Sequence, residues 1–234
     1  MSSLPPELPE PAAVPVPGAS GADAVAERLG ALRQGCGACQ RCALAATRSQ
    51  VVVGRGAPQA RLMLIGEGPG AEEDACGLPF VGRAGRLLEE LLAEAGLDSE
   101  RDAYITNVVK CRPPGNRKPT AAEMEACFPW LQQQITLVDP ALILLVGATA
   151  LQAVLGVKGG ITRLRGQWRP GEGPLLAGRS LMPLLHPSYL LRNASEAADS
   201  PPLAHPRRFG GGAVPPRCDK GCPGLRRLSG RSWA

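Results

Sequence analysis

The sequence predicts an α/β layered domain built on a largely parallel central sheet. Three observations carry that prediction. Apolar runs of strand length, "RLMLIG" (61–66) and "ALILLVG" (141–147), stop at glycine, as strands covered on both faces do. Segments of helical periodicity alternate with them. The polar and glycine-rich stretches "GEGPG", "TNVVKCRPPGNRKP" and "HPSYLLRN" fall at strand ends, where such folds hold their sites.

In chain order, residues 1 to about 20 are rich in Pro, Ala and Ser and read as a disordered arm. A short helix, roughly Ala22 to Gln34, leads into "CGACQRC". After the strand "RLMLIG", the stretch "GEGPGAEED" reads by itself as a tight acidic turn. It lacks the second half of a dinucleotide fingerprint and has no GK[ST]. Its Gly66, Gly68 and Gly70 let backbone amides approach a planar ligand. Phe80 sits in the loop before the next helix, where its ring fills core or stacks on a flat ring. "AGRLLEELLAEAGL" places Ala84, Leu87, Leu88, Leu91, Leu92 and Ala95 on one helical stripe.

"YITNVV" (104–109) is a β-branched strand interrupted by Asn107, whose amide needs a partner once buried. Lys110, Arg112, Arg117 and Lys118 make a basic loop: solvated charges when taken alone, phosphate contacts when beside a pocket. Thr120 with Glu123 is a capping box that opens the following helix. "ALILLVG" and "ATALQAVLG" are a strand and its helix, and "LMPLLHP" is a further strand ending at His186. No internal repeat is visible. From about Ala194 the periodicity fails, and the Pro-, Gly- and Arg-rich tail to residue 234 reads as disordered. The expected domain is therefore 21–193.

Composition narrows the function. A chain of 234 residues with 44% apolar residues supplies a core for one large domain or two small ones. The net charge of +5 and a pI near 8.9 suit a polyanionic partner without demanding one. No apolar run approaches membrane-spanning length, and the start lacks the basic and apolar regions of a secretory signal. A cytoplasmic location is expected, where eight cysteines serve as ligands or free thiols rather than disulfides. Cys39 and Cys42 form a C-x-x-C pair with Cys36 just before it; Cys111 and Cys127 follow far downstream. Four thiolates gathered by folding suit zinc or an iron–sulfur cluster, and spacing alone does not choose.

The segments "CQRCALAATR", "GEGPGAEED", "GLPFVGRAGRLL", "YITNVVKCRPPGNRKP", Cys127 with Trp130, and "HPSYLLRN" come in an order that resembles the family 4 uracil-DNA glycosylases. These are the iron–sulfur branch of the uracil-DNA glycosylase superfamily. The resemblance covers about Cys39 to Asn193. It implies a three-layer α/β/α fold around a four-stranded parallel sheet. It implies a 4Fe–4S cluster held by Cys39, Cys42, Cys111 and Cys127, with zinc as the alternative and Cys36 as an extra thiol. The implied activity is monofunctional hydrolysis of the N-glycosidic bond of uracil in DNA, single- or double-stranded, which starts base excision repair. A monomer is expected. By position, Phe80 stacks on the flipped uracil, Asn107 bonds its polar edge, and Gly66, Glu67 and Gly68 surround it. His186 faces the oxygen beside the scissile bond. Leu190 enters the duplex as a wedge, with Arg192 following it on the DNA.

The sequence departs from related proteins at two places. Gly68 stands where the best-known branch has an aspartate, which leaves Glu67, Glu73 or a backbone carbonyl to activate water. The tail after Asn193 does not resemble the helix that usually follows. Two other classes of function compete with the enzyme: a damage-binding module without turnover, and a zinc-bound nucleic-acid adaptor. A covalent trap of the kind a related branch uses is disfavoured, since "CRPPGNRKPT" holds no histidine and no insertion. Phe80, Asn107 and His186 together favour the enzyme, because a mere binder needs no such set.

Overall fold

In the computed structural model, which describes residues 21–193, the apolar runs form the sheet. Leu62–Gly66 (β2), Ala103–Asn107 (β3), Leu142–Val146 (β4) and Ser180–Leu184 (β6) pair in parallel in the order β3-β2-β4-β6. Two-residue strands flank them antiparallel: Arg55–Gly56 (β1) against β3, and Arg169–Pro170 (β5) against β6. The expected four parallel strands are thus the centre of a six-stranded sheet. Edge strands this short offer little backbone for pairing with another chain.

Every residue of β2 and β3 is buried, which requires cover on both faces. Successive side chains supply it by alternation. Met63, Ile65, Ile143 and Leu145 point to one face, against Leu131 and Ile135 of Ala121–Val138 (α4) and Leu151 of Ala148–Leu155 (α5). Leu62, Leu64, Ile105 and Leu144 point to the other, against Leu88 and Leu92 of Arg83–Glu94 (α3). The result is the three-layer α/β/α arrangement. Gly21–Gly37 (α1) packs on α4. Among the described residues four short α-helices, Ala71–Cys76 (α2), Ile161–Leu164 (α6), Gly173–Leu176 (α7) and Pro187–Leu190 (α8), and two 3-10 turns, Ala43–Ala46 and Pro114–Asn116, complete the helical elements.

Local chemistry explains the starts and stops. Thr120 Oγ1 accepts from the Glu123 amide at 3.2 Å, and Glu123 Oε2 accepts from the Thr120 amide at 2.8 Å, so the capping box at α4 is made. Arg117 adds a two-pronged ion pair to Glu123 at 2.7–2.8 Å, which holds that carboxyl down at about 2. The acidic stretch expected as a turn is instead helix α2. Its Glu73 accepts at Oε2 from the Gly70 amide at 3.0 Å, closing the first turn. The strand expected to reach Val109 ends at Asn107; the Val108 and Val109 amides still donate to the carbonyls of Gly66 and Glu67. The arm of residues 1–20 and the tail of 194–234, with His205, Cys218 and Cys222, lie outside the described residues. Among the described residues no helix is long and apolar enough to cross a membrane.

One close approach fixes how α3 meets the loop before it. A Cβ on Gly85 would lie 2.0 Å from the Phe80 carbonyl oxygen. Gly85→Ala should therefore lower stability by about 1–3 kcal/mol, the usual cost of overpacking. Thermal unfolding monitored by circular dichroism would show it; an unchanged midpoint would mean that the loop moves freely.

A candidate active site at the carboxyl ends of the strands

The parallel sheet brings its strand ends to one rim. β2 ends at Gly66 opposite Asn107 at the end of β3, and β6 runs out into His186. A cavity of about 330 Å³ opens there, lined by Glu67, Gly147, Thr149, His186, Ser188 and Arg192 among others. That volume is in the range of small-ligand sites.

Phe80 and Asn107 do not line this cavity. Both are buried beside it, where the two side chains crowd around a missing one. A Cβ on Gly66 would fall 2.4 Å from Asn107 Oδ1 and 2.5 Å from Phe80 Cζ. Only glycine lets these two groups come together. Asn107 Oδ1 is buried and has no hydrogen-bond partner among the described residues. An orphaned buried acceptor costs about 1–3 kcal/mol, a cost a donor on a ligand would remove. A Cβ on Gly68 would meet Val109 Cγ2 at 2.7 Å, so that glycine too permits a close approach.

The loop carrying Phe80 is pinned from three sides. Phe80 has a φ of +55°, rare for a bulky residue and found where surroundings hold it. Glu73 Oε1 accepts from the amides of Val81 and Gly82 at 3.0 and 2.9 Å. Arg55 Nε donates to the Pro79 carbonyl at 2.9 Å. Gly85 closes the third side. Both Glu73 oxygens are therefore engaged in holding loops. Glu67 differs: it lines the cavity, and its Oε2 accepts from Thr149 Oγ1 near the amino end of α5. Thr149 was not singled out by sequence, since a threonine in a helix has no distinguishing pattern.

His186 is placed by the strand and fixed by the helix after it. Nδ1 accepts from the Ser188 amide at 3.1 Å and lies 2.8 Å from Ser188 Oγ, so His186 caps α8. An Nδ1 that accepts carries no hydrogen; in the neutral ring the hydrogen is then on Nε2. Phe80 lies against the ring, with centroids 5.9 Å apart and planes at 28°. Burial first, and the Arg192 charge second, push the imidazole pKa down to about 4, with Glu73 opposing. Near neutral pH His186 is therefore an uncharged donor.

The other sequence-predicted residues sort differently. Leu190 is buried at 6% exposure, whereas Leu191 is exposed at 42%. The helical turn of α8 thus turns Leu190, the residue expected as the wedge, inward and leaves Leu191 facing out. Lys110, expected in the basic loop, is fully buried and donates to Thr106 Oγ1 and to the Asn107 carbonyl at 2.7 and 2.6 Å. Arg117 is bound to Glu123. Lys118 and Arg192 remain at the cavity rim.

The cysteines come from three segments: Cys39 and Cys42 just after α1, Cys111 in the loop after β3, and Cys127 in α4. Cys39, Cys42, Cys111 and Cys127 are free thiols, as is Cys36. Cys111 feels Cys39 and Cys42, and Cys127 feels Cys111 and Cys42, so the four share one neighbourhood. Each of three sulfurs has an N–H aimed at it. Arg48 Nη1 reaches Cys111 at 3.3 Å, Trp130 Nε1 reaches Cys39 at 3.4 Å, and the Lys110 amide reaches Cys127 at 3.3 Å. Burial raises the Cys111 thiol and pushes Cys127 up to about 11 and Cys36 to about 12. Among the described residues no three His, Cys, Asp or Glu are arranged to hold a single metal ion.

Fold and rim together define a three-layer α/β protein whose site is a glycine-walled recess with a neutral histidine, a carboxylate and a buried amide. The sequence matches the family model "Uracil DNA glycosylase superfamily" over residues 53–206, and the chain belongs to that superfamily. It is similar to the type-4 uracil-DNA glycosylase of Thermotoga maritima, 50% identical over 161 residues that cover 67% of this chain and 80% of that one. The type-4 enzyme of Sulfurisphaera tokodaii is 40% identical over 163 residues, covering 66% and 72%. A type-5 uracil-DNA glycosylase of Thermus thermophilus is 36% identical over 152 residues, covering 58% and 68%.

The His186 shift has a measurable sign. The unfolded ring takes up its proton near the ordinary value of 6.5 and the folded ring only near 4. Between those values the unfolded state binds more protons, so stability contributed by this group falls as pH drops from 6.5 toward 4 and is constant above 6.5. The loss is on the order of 3 kcal/mol. Denaturant unfolding across that window should be steeper in pH for the native chain than for His186→Asn; parallel curves would contradict the assignment.

Proposed function

We propose that the chain is a uracil-DNA glycosylase: it takes uracil out of the DNA stack and hydrolyses its N-glycosidic bond, leaving an abasic site. The observation that carries the reading is the buried, unpartnered Asn107 Oδ1 beside Phe80 over Gly66. An acceptor of this kind suits the N3–H of uracil, and an aromatic ring next to it suits a flat base. As the C1′–N1 bond breaks, the sugar gains positive charge and the base negative charge. The Nε2–H of His186 donates to the uracil oxygen where that charge develops. Glu67, fixed through Oε2 by Thr149, takes the proton of the attacking water, and the water oxygen joins C1′. Leu191 is the apolar side chain available to fill the gap in the stack.

The donor set fits an iron–sulfur cluster. Cys39, Cys42, Cys111 and Cys127 would each supply one thiolate, and the N–H groups on three of them suit charged sulfur. When bound the cluster supplies a cross-link between the segment after α1, the loop after β3, and α4. DNA is the partner; a monomer in the cytoplasm remains the expected context.

Three measurements test this. Single-turnover release of uracil from an oligonucleotide, followed by alkali cleavage, should occur with the native chain and fall about 100- to 1000-fold in His186→Ala. No release by a folded, iron-loaded protein would reject the enzyme in favour of a binding module. Leu191→Ala should slow excision from duplex more than from single strands, by about tenfold, while Leu190→Ala should lower stability instead; equal effects on both substrates would remove the wedge role. Cys111→Ser should lose iron, labile sulfide and visible absorption, whereas Cys36→Ser keeps them. Zinc in place of iron in the purified native chain would overturn the cluster.

A further inference from the structure

Between Asp139 and Glu172 the chain contains no acid, yet it carries Lys158, Arg163, Arg165 and Arg169. Five arginines elsewhere are neutralised by carboxylates. Arg55 meets Glu89 and Glu100, Arg86 meets Glu72, Arg101 meets Asp102, Arg117 meets Glu123, and Arg179 meets Asp139. Among the described residues none of the four cations in 158–169 has a carboxylate partner, and Arg165 Nη1 and Arg169 Nε lack any acceptor. The same stretch exposes Trp168 at 44% and Val157 at 38%. With aromatics at only 3% of the chain, an exposed tryptophan amid unpaired cations is unlike a merely solvated loop.

The stretch also has a fixed place. Ile161 and Thr162 of α6 line the same cavity as His186 and Glu67, with Lys118 and Arg192 on its rim. The Gly166 amide donates to the Pro183 carbonyl of β6 at 2.9 Å, and Arg169 pairs in register with Leu181. The cations are therefore carried by the sheet edge that delivers His186, not by a free loop.

We propose that residues 157–169 form the docking face for the DNA strand running on from the flipped nucleotide, with Lys158 and Arg163 on phosphates and Trp168 stacking an unpaired base. This rests on the glycosylase reading of the cavity. Phosphate contacts release counterions, and each lowers the salt slope of binding by about 0.7 on single strands and 0.9 on duplex. Stacking on an aromatic ring suits any base, so Trp168 adds affinity for single strands.

The test is fluorescence anisotropy of a uracil-free single-stranded oligonucleotide and its duplex, titrated with the full chain over a range of salt. Lys158→Ala with Arg163→Ala should reduce the slope magnitude on single strands by about 1.4. Arg28→Ala with Arg61→Ala removes the same charge from exposed positions elsewhere and should leave the slope unchanged. Trp168→Ala should weaken single-strand binding about tenfold and duplex binding little. Uracil excision at saturating DNA should be unaffected in Arg28→Ala with Arg61→Ala. Equal slopes in the two double variants, or a Trp168→Ala protein that binds single strands normally, would overturn the docking face. Because this DNA holds no uracil, the slope is read whether or not the chain excises. A slope change without excision by the native chain would uphold the surface and reject the enzyme; excision without a slope change would do the reverse.

Discussion

The site depends on one register: Gly66 of β2 opposite Asn107 of β3. Side chains alternate along a strand, so a slip of one residue would turn Asn107 to the opposite face. Its neighbour Thr106 shows what lies there. Thr106 Oγ1 donates to the Val53 carbonyl at 2.7 Å, within a buried polar group that includes Gln134 and Tyr104. The two faces of β3 thus do different work. One side holds polar packing against α4; the other presents an amide to a recess that exists because residue 66 has no side chain.

A buried ammonium joins the recess to the cysteines. Lys110 has no exposed surface, and a charge so placed is costly unless hydrogen-bonded. Burial lowers its pKa to about 8, opposed by the nearby Cys127, Cys36 and Cys111. Its Nζ donates to Thr106 and to the Asn107 carbonyl, while its own amide points at Cys127. One residue therefore touches the end of β3 and the thiol neighbourhood at once. Removing it would leave a buried hydroxyl and carbonyl each short of a donor.

Much of this was legible in the sequence, because the strongest signals are local. β2 and β4 are apolar runs that only a sheet covered on both faces explains, and Thr120 with Glu123 announced the start of α4. The cysteine spacing and the motifs at the strand ends located the candidate residues. What was hidden depends on tertiary placement. β5 and α6 to α8 are two to four residues long, too short to show a period. Leu190 and Leu191 are chemically alike, and only the orientation of α8 on α3 decides which is covered. Lys110 looks like any member of a basic loop until folding buries it. Glu67 and Thr149 are 82 residues apart and meet only because β2 and β4 are neighbours.

The cysteines are carried by elements of very different anchorage. α4 is wedged against the sheet through Leu131, Ile135 and Val138. In contrast, among its described side chains α1 buries only Leu32 and Cys36, in a small satellite cluster with Val53, helped by Arg33 donating to the Gly54 carbonyl at 2.9 Å. Sparse burial of this kind defines a region that opens locally while the rest stays folded. Amide exchange in α1 should then be faster than in β2 and β3, and Cys39 and Cys42, which follow it and are only half-buried, belong to the less firmly anchored part of the cysteine group. A group bridging these thiols would tie the loosely packed end of the domain to the wedged one, so that its loss would free α1 before it disturbed the sheet.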